Sequence, residues 1–215
     1  MKPQLCQYSK CTGCGSCVSS CSHNALKLVF NKEGFLHPII DENKCVECHQ
    51  CERKCPILNL DRLHYHNPQN IKTFTGWTAD ESLCKQSSSG GVFSQIAKDF
   101  LAINNSFVVG VEQVPYSNEC KHVIIEEKDD LSRILGTKYI QSNASECYFK
   151  IKRLLKNGKR VLFCGTPCQV AALYIYLNGF YIKYLYTIEL LCHGVTSKKA
   201  VDIICKVYKT YVLFL

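Results

Sequence analysis

The chain has 215 residues, of which 16 are cysteine, 47% are hydrophobic and only 20% are charged. That length holds one or two domains with a real apolar core, so the cysteines are not needed to staple a mini-protein together, and some of them must serve chemistry. The formal charge of +8 is diffuse, with 7 basic and 5 acidic side chains in residues 1–60 and 19 and 13 in residues 61–215, which argues against the concentrated footprint of a nucleic-acid-binding protein.

The chain opens Met1-Lys2-Pro3-Gln4-Leu5-Cys6, with no apolar stretch that could act as a signal peptide, so a reducing cytoplasm is expected and disulfides are not. No run of about 18 apolar residues follows, since even residues 170–192 are broken by Asn178, Lys183 and Glu189, and no membrane span is expected.

Nine cysteines fall in the first 55 residues. Eight of them form an internal repeat: Cys11-x2-Cys14-x2-Cys17-x3-Cys21 recurs as Cys45-x2-Cys48-x2-Cys51-x3-Cys55, each position shifted by 34 residues. The second copy ends in Cys55-Pro56, while the first has Ser22 in the proline's place. Structural zinc also uses paired C-x2-C units, but it does not call for a third cysteine at the same interval and a fourth three residues on, twice. The run resembles that of two-cluster bacterial ferredoxins, C-x2-C-x2-C-x3-C-P. That resemblance implies that Cys11, Cys14, Cys17 and Cys55 ligate one [4Fe-4S] cluster and that Cys45, Cys48, Cys51 and Cys21 ligate the other. Cys6 is left over as a spare, and His23 and His49 read as exposed groups or as neighbours that could hydrogen-bond a cluster sulfur.

Residues 25–30, 31–34 and 35–40 read as strand, turn and strand, a hairpin over the clusters. The polar, turn-rich residues 64–70 read as a linker. The expected organisation is a ferredoxin domain over 1–62, a linker over 63–70 and a second domain over 71–215.

The second domain alternates strands with amphipathic helices. Residues 71–79 read as a strand, and Ser87-Ser88-Ser89-Gly90-Gly91 opens a helix with apolar residues at Val92, Phe93, Ile96, Ala97, Phe100 and Leu101. Strands are expected over 106–114, 122–126, 160–164 and 183–191, and helices over 143–157, 166–178 and from Ser197. The fold class is therefore an α+β ferredoxin-like domain followed by an α/β domain with a mixed or parallel sheet. Lys150, Lys152, Arg153, Lys156, Lys159 and Arg160 fit the solvated face and C-terminal end of a helix.

Two chemical signals stand out here. The Ser-Gly-Gly helix start leaves N–H groups at the positive end of a dipole, which suits either an anion or a plain structural cap. In Gly165-Thr166-Pro167-Cys168-Gln169, Thr166 is a good N-cap and Pro167 a good first helical residue, so Cys168 falls in the first turn, where a thiolate is favoured. With Cys164 ending one strand and Cys192-His193-Gly194 ending the next, three cysteines are expected at the sheet edge where α/β proteins bind ligands. Cys84, Cys120, Cys147 and Cys205 read as core or incidental, and the aromatic residues over 174–186 read as core.

The blocks SSSGGVFSQIA, the HVII strand at His122, GTKYIQS at residues 136–142, VLFCGTPCQVAAL and LLCHGVTS are similar in order and spacing to the beta-subunit family of coenzyme F-420 hydrogenases and dehydrogenases. The resemblance implies an iron–sulfur flavoprotein. Ser88, Ser89, Gly90 and Gly91 would then bind FAD together with Lys138, Tyr139, Gln141 and Ser142. Gly165, Thr166, Pro167 and Gln169 would join them, with Cys168, Cys192 and His193 near the flavin or a further cluster. Members of the family usually continue well beyond the CHGVTS block, whereas this chain stops at Tyr211-Val212-Leu213-Phe214-Leu215, so a shortened gene, a partial chain or a partner that completes the sheet is expected.

The expected function is an oxidoreductase that passes electrons between [4Fe-4S] clusters and FAD, with a deazaflavin, a nicotinamide or another organic molecule at the far end and a redox partner protein or subunit beside it. The alternative is a non-catalytic ferredoxin-type carrier with a degenerate docking module, and a zinc-binding scaffold ranks third.

Overall fold

The computed structural model describes residues 2–63 and 71–208. The expected linker at 64–70 and the apolar tail at 211–215 lie outside the described residues.

The first half is built from two copies of one unit. Each cysteine run turns through two left-handed residues and enters a single helical turn: Gly13 and Gly15 (φ +62° and +83°) precede α1 (Ser16–Ser19), and Glu47 and His49 (φ +54° and +57°) precede α2 (Gln50–Arg53). The 34-residue shift of the sequence is thus a shift of backbone conformation too. Only the first copy uses glycine for it, so the second holds two L-residues in a costly region of φ. Between the copies, β1 (Leu26–Phe30) pairs antiparallel with β2 (Leu36–Ile40), Leu26 facing Ile40 and Phe30 facing Leu36. Asn31 closes the turn by accepting from the N–H groups of Glu33 and Phe35 at 3.0 and 2.8 Å, and Gly34 supplies φ +88°.

The second half is a five-stranded mixed sheet with helices on both faces. The strands are β3 (Ser106–Gln113), β4 (Cys120–Ile125), β5 (Ser142–Asn143), β6 (Arg160–Gly165) and β7 (Leu185–Glu189), in the order β5-β4-β3-β6-β7. Only β3 and β4 run antiparallel; β5 on β4, β6 on β3 and β7 on β6 are parallel. Parallel pairs need crossover connections, and α5 (Cys147–Lys156) and α6 (Pro167–Leu177) flank β6 on the chain. They bury Tyr148, Ile151, Leu155, Leu173 and Leu177 against Val161 and Phe163. On the opposite face, α4 (Val92–Phe100) packs Ala97 and Phe100 against Val108, Ile125 and Leu162. The last helix, α7 (Lys198–Tyr208), buries Val201 and Cys205 beside Cys120 and Ile140.

Several expectations need correction. Residues 71–79 form no strand: Ile71, Phe74 and Trp77 are 76%, 84% and 77% exposed, so their apolar side chains have no sheet face to cover. Only Thr78 of that stretch is buried, and its N–H bonds the Gly90 carbonyl at 2.8 Å. A short helix, α3 (Glu81–Lys85), capped by the Asp80 carboxylate, follows where none was expected. The helix expected from residue 143 starts at Cys147, because Asn143 pairs in β5 and its side chain accepts from Ser145. Cys120, Cys147 and Cys205 are buried, as core cysteines should be.

Candidate functional site

The eight repeat cysteines fall into two groups that the linear order does not suggest. Cys11, Cys14, Cys17 and Cys55 line one hollow, and Cys21, Cys45, Cys48 and Cys51 line a second. The fourth cysteine of each run therefore faces the hollow made by the other run. The thiols surround a space rather than meeting at a point, and no three His, Cys, Asp or Glu side chains among the described residues converge as one metal ion requires.

Burial pushes the Cys14 thiol up to about 12, with the Cys168 and Cys55 thiols adding to it, and burial and neighbouring thiols raise Cys17 as well. Crowded, buried thiols that resist ionisation are stabilised as thiolates by a cationic metal centre. Four soft sulfur donors around an apolar hollow fit a [4Fe-4S] cluster and not a hard cation such as calcium. One sulfur already receives a protein hydrogen bond, from Ala25 N–H to Cys21 Sγ at 3.3 Å. His23 and His49 line the second hollow, and His49 Nδ1 bonds the Glu52 carboxylate at 2.9 Å. Cys6 lines the first hollow as a fifth thiol, a position that its place outside the repeat did not signal.

The first hollow abuts the α/β half. Thr166 and Gln169 form a reciprocal capping box, Pro167 takes the first helical position, and Cys168 lies in the first turn of α6 with its sulfur 3.2 Å from Thr166 Oγ1. Cys168 is also close enough to Cys14 to raise its pKa. The neighbouring α5 supplies Tyr148, wholly buried, whose hydroxyl donates to the Cys14 carbonyl at 2.9 Å. Gln141 joins the halves as well: it donates to the Thr12 carbonyl at 2.9 Å and accepts from Leu36 N–H at 2.7 Å. At the other end of the seam, Lys198 N–H donates to the Gly34 carbonyl at 3.1 Å.

The structure joins the blocks assigned to a flavin into one belt, but through their own polar atoms. Ser88 Oγ accepts from Thr137 N–H at 3.0 Å, next to Lys138, whose ammonium donates to the carbonyls of Leu135 and Gly136. Gln169 Nε2 donates to Ser142 Oγ at 3.0 Å, tying the 136–142 segment to the start of α6. The carbonyl of Tyr139, an exposed residue, accepts from Thr196 N–H at 2.9 Å. Ser89, Gly90 and Gly91 all have positive φ, and a Cβ on Gly91 would meet Thr78 Cγ2 at 2.7 Å. A Cβ on Gly165 would meet the Phe163 ring at 2.7 Å. These glycines answer to close packing within the chain.

The three cysteines expected together at the sheet edge have different surroundings. Cys164 is buried, with its thiol pushed up to about 12 by burial and eased by Lys138, while Cys168 faces Cys14. Cys192 and His193 are exposed, and the Cys192 sulfur accepts from Gly194 N–H at 3.4 Å. Next to Cys164, His122 on β4 donates from Nε2 to its carbonyl at 3.2 Å and stacks on Phe163, with Nδ1 buried and unpartnered. Burial lowers the pKa of His122 to about 4. No helix among the described residues is long and apolar enough to cross a membrane.

Comparison with known proteins agrees with both resemblances. Residues 10–58 match the family model of the 4Fe-4S dicluster domain, and residues 158–211 match that of the C terminus of the coenzyme F420 hydrogenase/dehydrogenase beta subunit. The uncharacterized protein MJ1349 of Methanocaldococcus jannaschii is 23% identical over 207 residues, covering 83% of this chain and 56% of its own length. A ferredoxin-like protein from the nif region of Sinorhizobium fredii is 38% identical over 55 residues, covering 23% of this chain and 78% of its own. Among solved structures, a chain of the F420-reducing [NiFe] hydrogenase complex from Methanosarcina barkeri shares the fold, with a TM-score of 0.51 at 20% identity, covering 66% of this chain and 52% of that one. The chain thus spans about half the length of MJ1349 and of that hydrogenase chain.

Proposed function

We propose that this chain, a dicluster ferredoxin segment fused to an α/β half related to F420 hydrogenase beta subunits, is an iron–sulfur electron-transfer protein that works as an oxidoreductase module. Cys11, Cys14, Cys17 and Cys55 hold one [4Fe-4S] cluster, and Cys21, Cys45, Cys48 and Cys51 hold the second. Such clusters supply storage and release of single electrons. The observation that carries the reading is the sorting of eight cysteines into two four-thiol hollows, the first of which abuts Cys168.

The finer part of the reading is flavin binding on the α/β half, with a deazaflavin or nicotinamide as organic partner and a second protein as the other. It is supported by the beta-subunit match, the helix start at Cys168, and the approach of the Ser88 and 136–142 segments to one another. Bound there, FAD supplies the step between one-electron and two-electron chemistry. Ser88, Ser89, Gly90, Gly91, Lys138 and Tyr139 are the residues offered for it.

A specific observation favours the carrier as a second reading. Gln141, Ser142 and Gln169 spend their side-chain polar atoms on one another's segments and on the ferredoxin loop, so flavin contacts from them would require the seam to open. Anaerobic purification with iron and flavin assays separates the two. About eight irons per chain with one flavin supports the oxidoreductase, eight irons without flavin the carrier, and zinc in place of iron overturns both.

A further inference from the structure

The first hollow contains more thiols than a cluster needs. Five cysteines line it, and a [4Fe-4S] cluster takes four. The fifth, Cys6, stands 5 residues before the repeat. It is held from both sides: Lys2 pairs with Glu42, Gln4 N–H bonds the Glu52 carboxylate, and beyond it a turn closes with Cys11 N–H on the Gln7 carbonyl at 3.1 Å. Tyr8, two residues on, stacks on His37 with ring centroids 4.1 Å apart. The sulfur of Cys6 is therefore placed by the fold. Its thiol interacts with those of Cys55 and Cys11, while Cys14 interacts with Cys168 and its carbonyl with the Tyr148 hydroxyl.

We propose that Cys6 is an exchange ligand for the first cluster, able to replace Cys55 or Cys11 on its iron but not Cys14 or Cys17. The inference rests on the cluster reading above. In the exchange one iron–thiolate bond breaks and one forms, and the proton of the Cys6 thiol passes to the released thiolate, so neither charge nor electron count changes. The fifth thiol lets the chain keep four sulfurs on iron when a neighbouring one is displaced.

The test uses the full chain reconstituted anaerobically, read by iron content and by peptide mapping of iodoacetamide-labelled cysteines. Wild type should hold about eight irons, with Cys6 alkylated. Cys55→Ala and Cys11→Ala should each retain about eight, now with Cys6 protected, and adding Cys6→Ala to either should drop the count to about four. Cys14→Ala and Cys17→Ala should fall to about four although Cys6 is present. The exchange is overturned if Cys55→Ala and Cys11→Ala lose half their iron and leave Cys6 labelled as in wild type. A wild-type chain that takes up no iron overturns the cluster reading and the exchange together, so the two failures are distinguishable. Cys6→Ala alone should keep wild-type iron, which separates exchange from a structural need for the residue.

Discussion

The hydroxyl of Tyr148 donates to the carbonyl oxygen of Cys14 at 2.9 Å, so a fully buried side chain of the α/β half holds the backbone of the first cysteine run. Burial keeps this phenol protonated far beyond its usual range, with the thiols of Cys14 and Cys168 adding to the effect, and the hydrogen-bond donor is present at any working pH. Tyr148→Phe keeps the ring and leaves the Cys14 carbonyl unpaired. The expected cost is about 1–3 kcal/mol of stability. Denaturant unfolding at pH 7 measures it, and the variant's first cluster should bleach faster in air than the second. Unchanged unfolding and equal bleaching would mean that the bond holds nothing.

Gly13 lies under the same seam. A Cβ there would fall within van der Waals contact of the Gln141 amide nitrogen and the Leu36 carbonyl oxygen, at a φ of +62° that already disfavours any side chain. Gly13→Ala should break both hydrogen bonds of Gln141 and cost more than about 3 kcal/mol. Gly158→Ala, at φ +70° but with nothing within 4 Å, should cost only the conformational share, about 1 kcal/mol. The difference between the two unfolding midpoints reports the seam itself.

The repeat made the ferredoxin segment legible. A 34-residue shift in cysteine spacing carried through to the backbone turns at Gly13, Gly15, Glu47 and His49. Period and capping likewise located β3, β6 and α6, with Thr166 and Pro167 fixing the last to the residue. Contacts that depend on docking were hidden. Nothing local marks Gln141 as a clamp on Thr12, or Tyr148 as a support for Cys14, since each partner lies more than 100 residues away. Residues 71–79 misled for the same reason: Ile71, Phe74 and Trp77 have strand character, but a strand needs a neighbouring edge.

His122 gives the α/β half a pH dependence. Its Nε2 must carry the proton, since the Cys164 carbonyl can only accept, and burial lowers the folded pKa to about 4. The unfolded chain, with an ordinary histidine near 6.5, binds the proton first as pH falls. The contribution to stability is therefore whole above about pH 6.5, declines toward pH 4 and is flat below, with a total of about 3 kcal/mol. Guanidine unfolding between pH 5 and 7.5, with iron content tracked in parallel, should have a steeper slope for wild type than for His122→Phe. Parallel curves would exclude His122 as the source.

Gln169 is 4% exposed and serves two partners: its Oε1 accepts from Thr166 N–H at 3.0 Å, and its Nε2 donates to Ser142 Oγ at 3.0 Å. Gln169→Leu removes half of the capping box and leaves Ser142 without this donor, for an expected loss of about 2–4 kcal/mol by thermal or urea unfolding. Thr166→Val, which gives up the cap and the hydroxyl's contacts with Cys168 Sγ and Gln169 Oε1 but leaves the Gln169–Ser142 bond, should lose about 1 kcal/mol. Equal, small losses in the two variants would point to a ligand rather than the fold as the partner of Gln169.

The sharpest prediction concerns two cysteines four residues apart. Cys17 lines the first hollow and Cys21 the second, although both belong to one run. Cys17→Ala and Cys21→Ala should each halve the iron content, but they should remove different clusters. The two hollows have different surroundings: the second is flanked by His23 and His49, and the first lies against Tyr148 and Cys168. Hydrogen bonding and solvent exposure set cluster potentials, so the two sites should titrate apart. A redox titration followed by electron paramagnetic resonance should then leave a different signal in each variant, the two adding up to the wild-type spectrum. If both variants lose the same signal, the fourth cysteine of each run belongs with its own three, and the crossed assignment fails.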